Sequence, residues 1–333
     1  MRLENPTALS TLVLSCSLLA LSGCPGDDGP AATTNEDGTG TGTTGMVTSD
    51  DVDTTSSPMD TTTDGPMMTT GGDETSTGED TGPPPDEVEA FRFTEMFVRD
   101  PHFYVSALGG LICADVTDNV PTGDPSINDQ FNDAINSDDP MMPDGNLDLS
   151  LVLLFRPLDQ ADAAAGDMDF ANAVCTVPPI ECDLQEGTDF FQTTYVSMSE
   201  GTCLEPDPAH LSPAGYNPQP GTTTGPCFTA DPTDVIINTG DFSLPLGDAV
   251  IAAQYEGDPA DGLVSGTLRG FLSLDDAEAT MLPREIQMQT GASVISELLP
   301  GGAGNCADHD DMDGDGWWMY VDFEARRVPW VGN

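Results

Sequence analysis

The chain has 333 residues, 58 acidic side chains against 8 basic ones, and a formal net charge of −50. Long-range repulsion on that scale disfavours nucleic acid and anionic headgroups as partners and favours divalent cations and cationic surfaces. All eight bases are Arg, so Schiff-base chemistry on Lys is excluded, and solubility of a surface protein accounts for the acidity by itself.

Behind Arg2, the apolar run from Leu9 to Leu21 is shorter than the ~18–20 residues of a spanning helix. The small residues Ser22 and Gly23 follow it, so 1–23 reads as a signal peptide. Leu21-Ser22-Gly23-Cys24 resembles the lipobox of bacterial lipoproteins. The resemblance implies export, cleavage before Cys24, acylation of its thiol, and a membrane as partner through that lipid. Pro25, in place of the Asp that resembles an inner-membrane retention signal, points to the outer membrane or cell surface. The alternative is an ordinary secreted protein with Cys24 in a disulfide, and cysteine parity opposes it. Without Cys16 and Cys24, the eight cysteines leave Cys113, Cys175, Cys182, Cys203, Cys227 and Cys306, an even set suited to an oxidising compartment. About 15 connectivities are open to six cysteines. Proximity favours Cys175 with Cys182 and Cys203 with Cys227, leaving Cys113 to reach Cys306.

Residues 24–87 are Thr, Gly, Asp, Ser and Pro, with 15 acids and no base. They cannot bury a core and read as a disordered tether, whose random-coil span is about 40–50 Å.

From Val88 the composition changes, and 88–333 reads as a single disulfide-stapled β domain. Leu147, Leu149, Leu151, Leu153 and Phe155 alternate with other residues at period two, after the turn Pro143-Asp144-Gly145-Asn146. Similar strands are expected over 91–97, 190–198, 235–238, 249–255, 263–274 and 317–323. Helices are few and short: Ser126 with Asp129 caps one whose Ile127, Phe131 and Ile135 share a face, and 274–282 and 293–299 are weaker candidates. This pattern predicts an all-β fold, an antiparallel β-sandwich of jelly-roll type. A split into two domains near the Pro-rich stretch 205–226 is the alternative; its bracketing by Cys203 and Cys227 favours a stapled surface loop.

Asp311-Met312-Asp313-Gly314-Asp315-Gly316-Trp317 resembles an EF-hand calcium loop. The resemblance implies Ca²⁺ held by Asp311, Asp313, Asp315, the Trp317 carbonyl and Asp322, the last standing where the family places a longer Glu. The helices that flank such loops are missing. Asp144, Asn146 and Asp148 form a poorer constellation that reads more simply as a hairpin turn, with Asp138 and Asp139 able to supplement it.

No H-E-x-x-H, G-x-S-x-G, phosphate loop or dinucleotide fingerprint is present. Of the three histidines, His309 reads as a neutraliser or ligand within the acidic loop and His102 as a packed edge residue. Trp317, Trp318, Tyr320 and Trp330 form either a sugar-stacking platform or one strand with a core face, the second being favoured. Arg326 and Arg327 are expected to pair with local acids.

Lipobox, Thr/Gly/Asp-rich tether and a cysteine-containing domain with Gly266-Thr267-Leu268-Arg269-Gly270-Phe271-Leu272 and Leu298-Leu299-Pro300-Gly301-Gly302 together resemble the cell-surface lipoproteins of myxobacteria. That resemblance implies location and layout and supplies no mechanism. The reading is a lipid-anchored surface binding or structural module, calcium-stabilised, with a glycan or protein partner; a secreted glycan- or peptide-directed hydrolase is the alternative.

Overall fold

The computed structural model describes residues 88–120, 123–138, 141–177, 180–188, 190–212, 217–238 and 242–332. The signal peptide, Cys24 and the tether lie outside the described residues. Among the described residues, fourteen strands and three short helices follow in the order β1 (Glu89–Asp100), β2 (Tyr104–Ala107), β3 (Ile112–Asp115), α1 (Ile127–Asn136), β4 (Asn146–Arg156), β5 (Ala165–Thr176), β6 (Glu181–Leu184), β7 (Phe190–Met198), β8 (Thr202–Leu204), β9 (Thr223–Thr224), β10 (Cys227–Ala230), β11 (Thr233–Asn238), β12 (Ser243–Gly257), β13 (Ala260–Ser273), α2 (Leu274–Ala279), α3 (Arg284–Thr290) and β14 (Gly316–Val328). A 3-10 turn, Ile295–Glu297, precedes β14.

The architecture is all-β and antiparallel, but the expected jelly-roll sandwich is not what forms. β1, β4, β5, β7, β10, β12, β13 and β14 pair in sequence order, and β1 then pairs with β14, which closes an eight-stranded up-and-down barrel. Closure removes most of the strand edges that a two-sheet sandwich exposes at four places, leaving the later half of β1 to be covered by a helix. β12 makes the closure possible. A register shift between Gly247 and Val250, with Asp248 at φ 50°, bends it so that its first half pairs with β11 and its second with β10.

Side chains fill the barrel, as expected for eight strands. Phe155 meets Phe91, Tyr195 and Phe228 edge to face, with ring centroids 5.7, 5.0 and 5.0 Å away. The buried Tyr195 hydroxyl donates to Pro157 O (2.6 Å) and accepts from Asp159 N (2.8 Å), so the phenol leaves no unsatisfied group. Gly266 is required where β13 passes β14: a Cβ there would stand 2.6 Å from the Phe323 ring.

α1 covers an edge that the ring leaves open. β4 pairs with β1 only over Glu89–Arg92, so the later N–H and C=O groups of β1 need other partners. Asn128, Asn132 and Asn136 stand at i, i+4 and i+8 on one face of α1 and supply them. Asn128 Oδ1 accepts from Val98 N (2.8 Å), Asn132 Oδ1 accepts from Met96 N (2.8 Å), and Asn136 Nδ2 donates to Thr94 O (3.1 Å). Ile127, Phe131 and Ile135 turn to the core, and Ser126 and Asp129 form the capping box.

The disulfides are Cys175–Cys182, Cys203–Cys227 and Cys113–Cys306. They close the β5–β6 hairpin, join β8 to β10, and pin β3 to the loop before β14. The described residues flanking the stretch 205–226 are tied to the barrel: Leu204 packs on Val250 and Ala252 of the outer wall, and Thr223 Oγ1 donates to Ser265 O (2.8 Å).

Candidate functional site

The ends of β1 and β13 and the starts of β12 and β14 lie at one end of the barrel, and most of the polar chemistry gathers there. Asp100, the last residue of β1, is 3% exposed. Ser212, in the segment between β8 and β9 and buried, donates its N–H to Asp100 Oδ2 at 2.9 Å. Its hydroxyl lies 2.5 Å from Asp100 Oδ1 and 2.6 Å from Asp311 Oδ2. One hydroxyl proton serves one carboxylate, so the second short contact needs a proton carried by an acid. Below about pH 6 Asp100 is the acid placed to carry it. Burial pushes its pKa up to about 6 and the charge of Asp311 adds to the rise, against the hydrogen bonds from Ser212 and the field of His102.

Each histidine faces an aspartate here. His102 Nδ1 lies 2.6 Å from Asp115 Oδ2. Burial raises the pKa of Asp115, but the bonds from His102 and Thr117 N outweigh it and hold the carboxyl below its ordinary value. His309 Nδ1 lies 3.3 Å from Asp311 Oδ1, and its ring meets Tyr104 edge to face. His210 stacks on Trp318, with centroids 4.4 Å apart and an 11° tilt, between Asp207 and Asp313, each 3.8 Å away. The order of contact is Ser212, Asp311, His309. Among the described residues the hydroxyl touches the two carboxylates of Asp100 and Asp311. The cluster works as a lock joining β1, the segment between β8 and β9 and the loop before β14.

The expected calcium ligands are not brought together. The side chain of Asp311 is 3% exposed and points into the lock. Asp313 and Asp315 are exposed on the loop, with Asp313 N bonded to Gly316 O and Asp315 O accepting from Leu274 N. Trp317 is fully buried, donates Nε1–H to Pro300 O (2.9 Å), and has its backbone in the ladder with Leu272. Asp322 stands six residues along the extended β14, about 20 Å from Gly316 at strand rise. It is bound there to Arg99 Nε (2.9 Å) and Gly221 N (3.0 Å). Among the described residues, no group of three or more His, Cys, Asp and Glu side chains is arranged to hold a metal. At the 143–146 turn, Asp144 Oδ1 accepts from Asn146 N and Asp138 Oδ2 from Gly145 N, an Asx turn that leads from α1 into β4 and not the expected β-hairpin turn. Trp317 and Tyr320 are core residues, and Arg326 and Arg327 pair with Glu256 and Glu89.

Two concavities were not anticipated. A cleft of about 290 Å³ opens between α1 and α3, walled by Phe103, Phe131, Phe242, Leu282, Ile286 and Leu298 and rimmed by Gln130, Asp133 and Glu285. Its walls come from five separate segments, so no local pattern announces it. On the outer wall, a groove of about 310 Å³ holds Phe97, Arg99, Thr222 and Asp322 together with Glu95 and Glu324, which are cross-strand partners. The alternation of β1 and β14 predicts which side chains share that wall; the register that sets Glu95 against Glu324 is not local information.

No family model, no curated protein and no solved structure matches the chain.

Proposed function

We propose that the protein is a lipid-anchored binding module of the cell surface, exported through its signal peptide and held by an acyl group on Cys24. The pairing of all six cysteines beyond Cys24 supports an oxidising compartment. The observation that carries binding is the cleft between α1 and α3: apolar walls converge on a rim of Gln130, Asp133 and Glu285, while the barrel interior is packed. Such a site takes a small amphiphile with an apolar body and a cationic or hydrogen-donating head. A fluorescence titration with a cationic amphiphilic dye tests it. Ala134→Phe fills the cleft from a half-buried position of α1 and is expected to weaken binding by at least about tenfold, or about 1.4 kcal/mol, at unchanged Tm. Equal binding by variant and parent refutes the assignment.

Calcium belongs to this proposal in a narrower form than the motif implies. Asp308, Asp310, Asp313 and Asp315 are exposed within eight residues, and a divalent ion is what relieves their repulsion. Asp313 and Asp315, completed by loop carbonyls and water, make a site of the weak extracellular grade, about 10⁻⁴–10⁻³ M.

A hydrolase is the second reading, favoured by the wall groove, where Glu95 and Glu324 face each other beside Phe97 and Arg99. Paired carboxylates in a groove suit glycoside hydrolysis. Release of the chromophore from aryl glycosides, abolished by Glu324→Gln, supports it; no turnover by the parent removes it.

A further inference from the structure

The hairpin β2–β3 follows the end of β1, and its tip differs from the rest of the chain. Leu108, Leu111 and Ile112 are 71%, 84% and 48% exposed. The eleven residues Tyr104 to Ala114 carry no charge, in a chain where 20% of residues are charged. Leu108 sits at φ 52°, followed by Gly109 at 68° and Gly110 at 91°. Gly adopts that left-handed conformation freely and a branched apolar side chain does not. A leucine placed there is both strained and wet, which folding alone does not explain.

The base of the hairpin is rigid. Cys113 is bonded to Cys306, Tyr104 N donates to Leu298 O at 2.7 Å, and Asn305 Nδ2 donates to Tyr104 O at 3.2 Å. The tip is therefore presented already ordered, and docking it costs little conformational entropy.

We infer that the tip is a membrane-docking element: Leu108, Leu111 and Ile112 enter the interfacial zone of a zwitterionic lipid surface. The inference rests on the proposed lipid anchor, because a tethered acyl group makes lipid the apolar phase of highest effective concentration. Charge argues for this occupant over the others. The net −50 opposes both a second copy and an anionic bilayer, whereas an uncharged tip meets a zwitterionic surface without desolvating any ion. The tether joins at Val88, the far end of β1 from the hairpin. That is about 40 Å for 12 strand residues, within the about 40–50 Å expected from the composition of residues 24–87.

The test uses residues 24–333 carrying Cys24→Ser, so that no acyl chain contributes, in flotation with phosphatidylcholine vesicles. The parent is expected to float with lipid, and Leu108→Ser/Leu111→Ser to reduce its partition by at least about tenfold, the share two leucine side chains carry. Its Tm should stay unchanged, since both positions are exposed. Adding phosphatidylglycerol should weaken the parent's binding. A parent that stays in solution, or a double variant that floats equally well, overturns the inference. Self-association of the parent that the same substitutions abolish, without flotation, also overturns it and assigns the tip to a second copy. The Cys24→Ser background reports on the tip alone, and the mass of the native N-terminus reports on the anchor, so either can fail without the other.

Discussion

The lock between Asp100, Ser212 and Asp311 makes stability depend on pH in a direction opposite to that of most acidic residues. The native pKa of Asp100 is about 6 against an ordinary 3.8, so between these values the native state binds more protons than the unfolded one. Stability from this group is fully present below the unfolded pKa and is lost as pH rises through 6. For a shift of that size the contribution is about 2 kcal/mol at pH 4, about 1 kcal/mol at pH 5, and near zero above pH 7.5. Other carboxylates titrate in the same range, so the quantity to measure is the difference between parent and Asp100→Asn. The Asn keeps the size of the group and can still bond to Ser212. Urea unfolding at several pH values from 4 to 7.5 should show the parent gaining on the variant as pH falls, by about 1 kcal/mol at pH 5. Asp311 and His102 are the charged groups facing Asp100, so Asp311→Asn should narrow the gap by lowering the Asp100 pKa. A difference that is flat across the range, or one that grows with rising pH, shows that Asp100 is ionised in the native state and that the reasoning about the shared proton is wrong.

Three further perturbations bear on the fold and the loop. Asn128→Ala leaves the buried Val98 N–H without its acceptor and should destabilise by about 1–3 kcal/mol in chemical unfolding, with Asn136→Ala, at an exposed position, costing less. Replacing Cys113 and Cys306 together by Ser frees a closure spanning 193 residues and should cost about 2–5 kcal/mol, whereas the seven-residue closure by Cys175 and Cys182 should matter less. Millimolar calcium should raise Tm, and Asp313→Ala should abolish the rise; identical melting in EDTA and in excess calcium removes calcium from the account.

Local patterns carried the elements well. The alternation of Leu147 to Phe155 corresponds to β4, the run 190–198 coincides with β7, and the Ser126 and Asp129 capping box starts α1. The disulfide pairing followed from proximity for the two short loops and from elimination for the third. β5 was missed although Asp167-Met168-Asp169-Phe170 alternates, because an acid such as Asp169 reads as solvent-facing when it is buried against Arg156. Closure was invisible for a different reason. It depends on β1 meeting β14 some 230 residues later, as at Thr94 and Glu324, and no local composition separates such a barrel from a sandwich. The same holds for the polar cluster, where Asp100 and Ser212 are 112 residues apart. In the acidic loop, spacing along the chain fixes ligand convergence only where the backbone curls, and from Gly316 onward this backbone is an extended strand that carries Asp322 away from Asp313 and Asp315.

The claim beneath all of this is that the chain works outside the cell on a lipid leash. Mass spectrometry of the N-terminal peptide from protein purified out of its native host tests it most directly. The account predicts a peptide that begins at Cys24 and bears a diacylglyceryl thioether; a chain still carrying residues 1–23, or a Cys24 with an unmodified thiol, contradicts it.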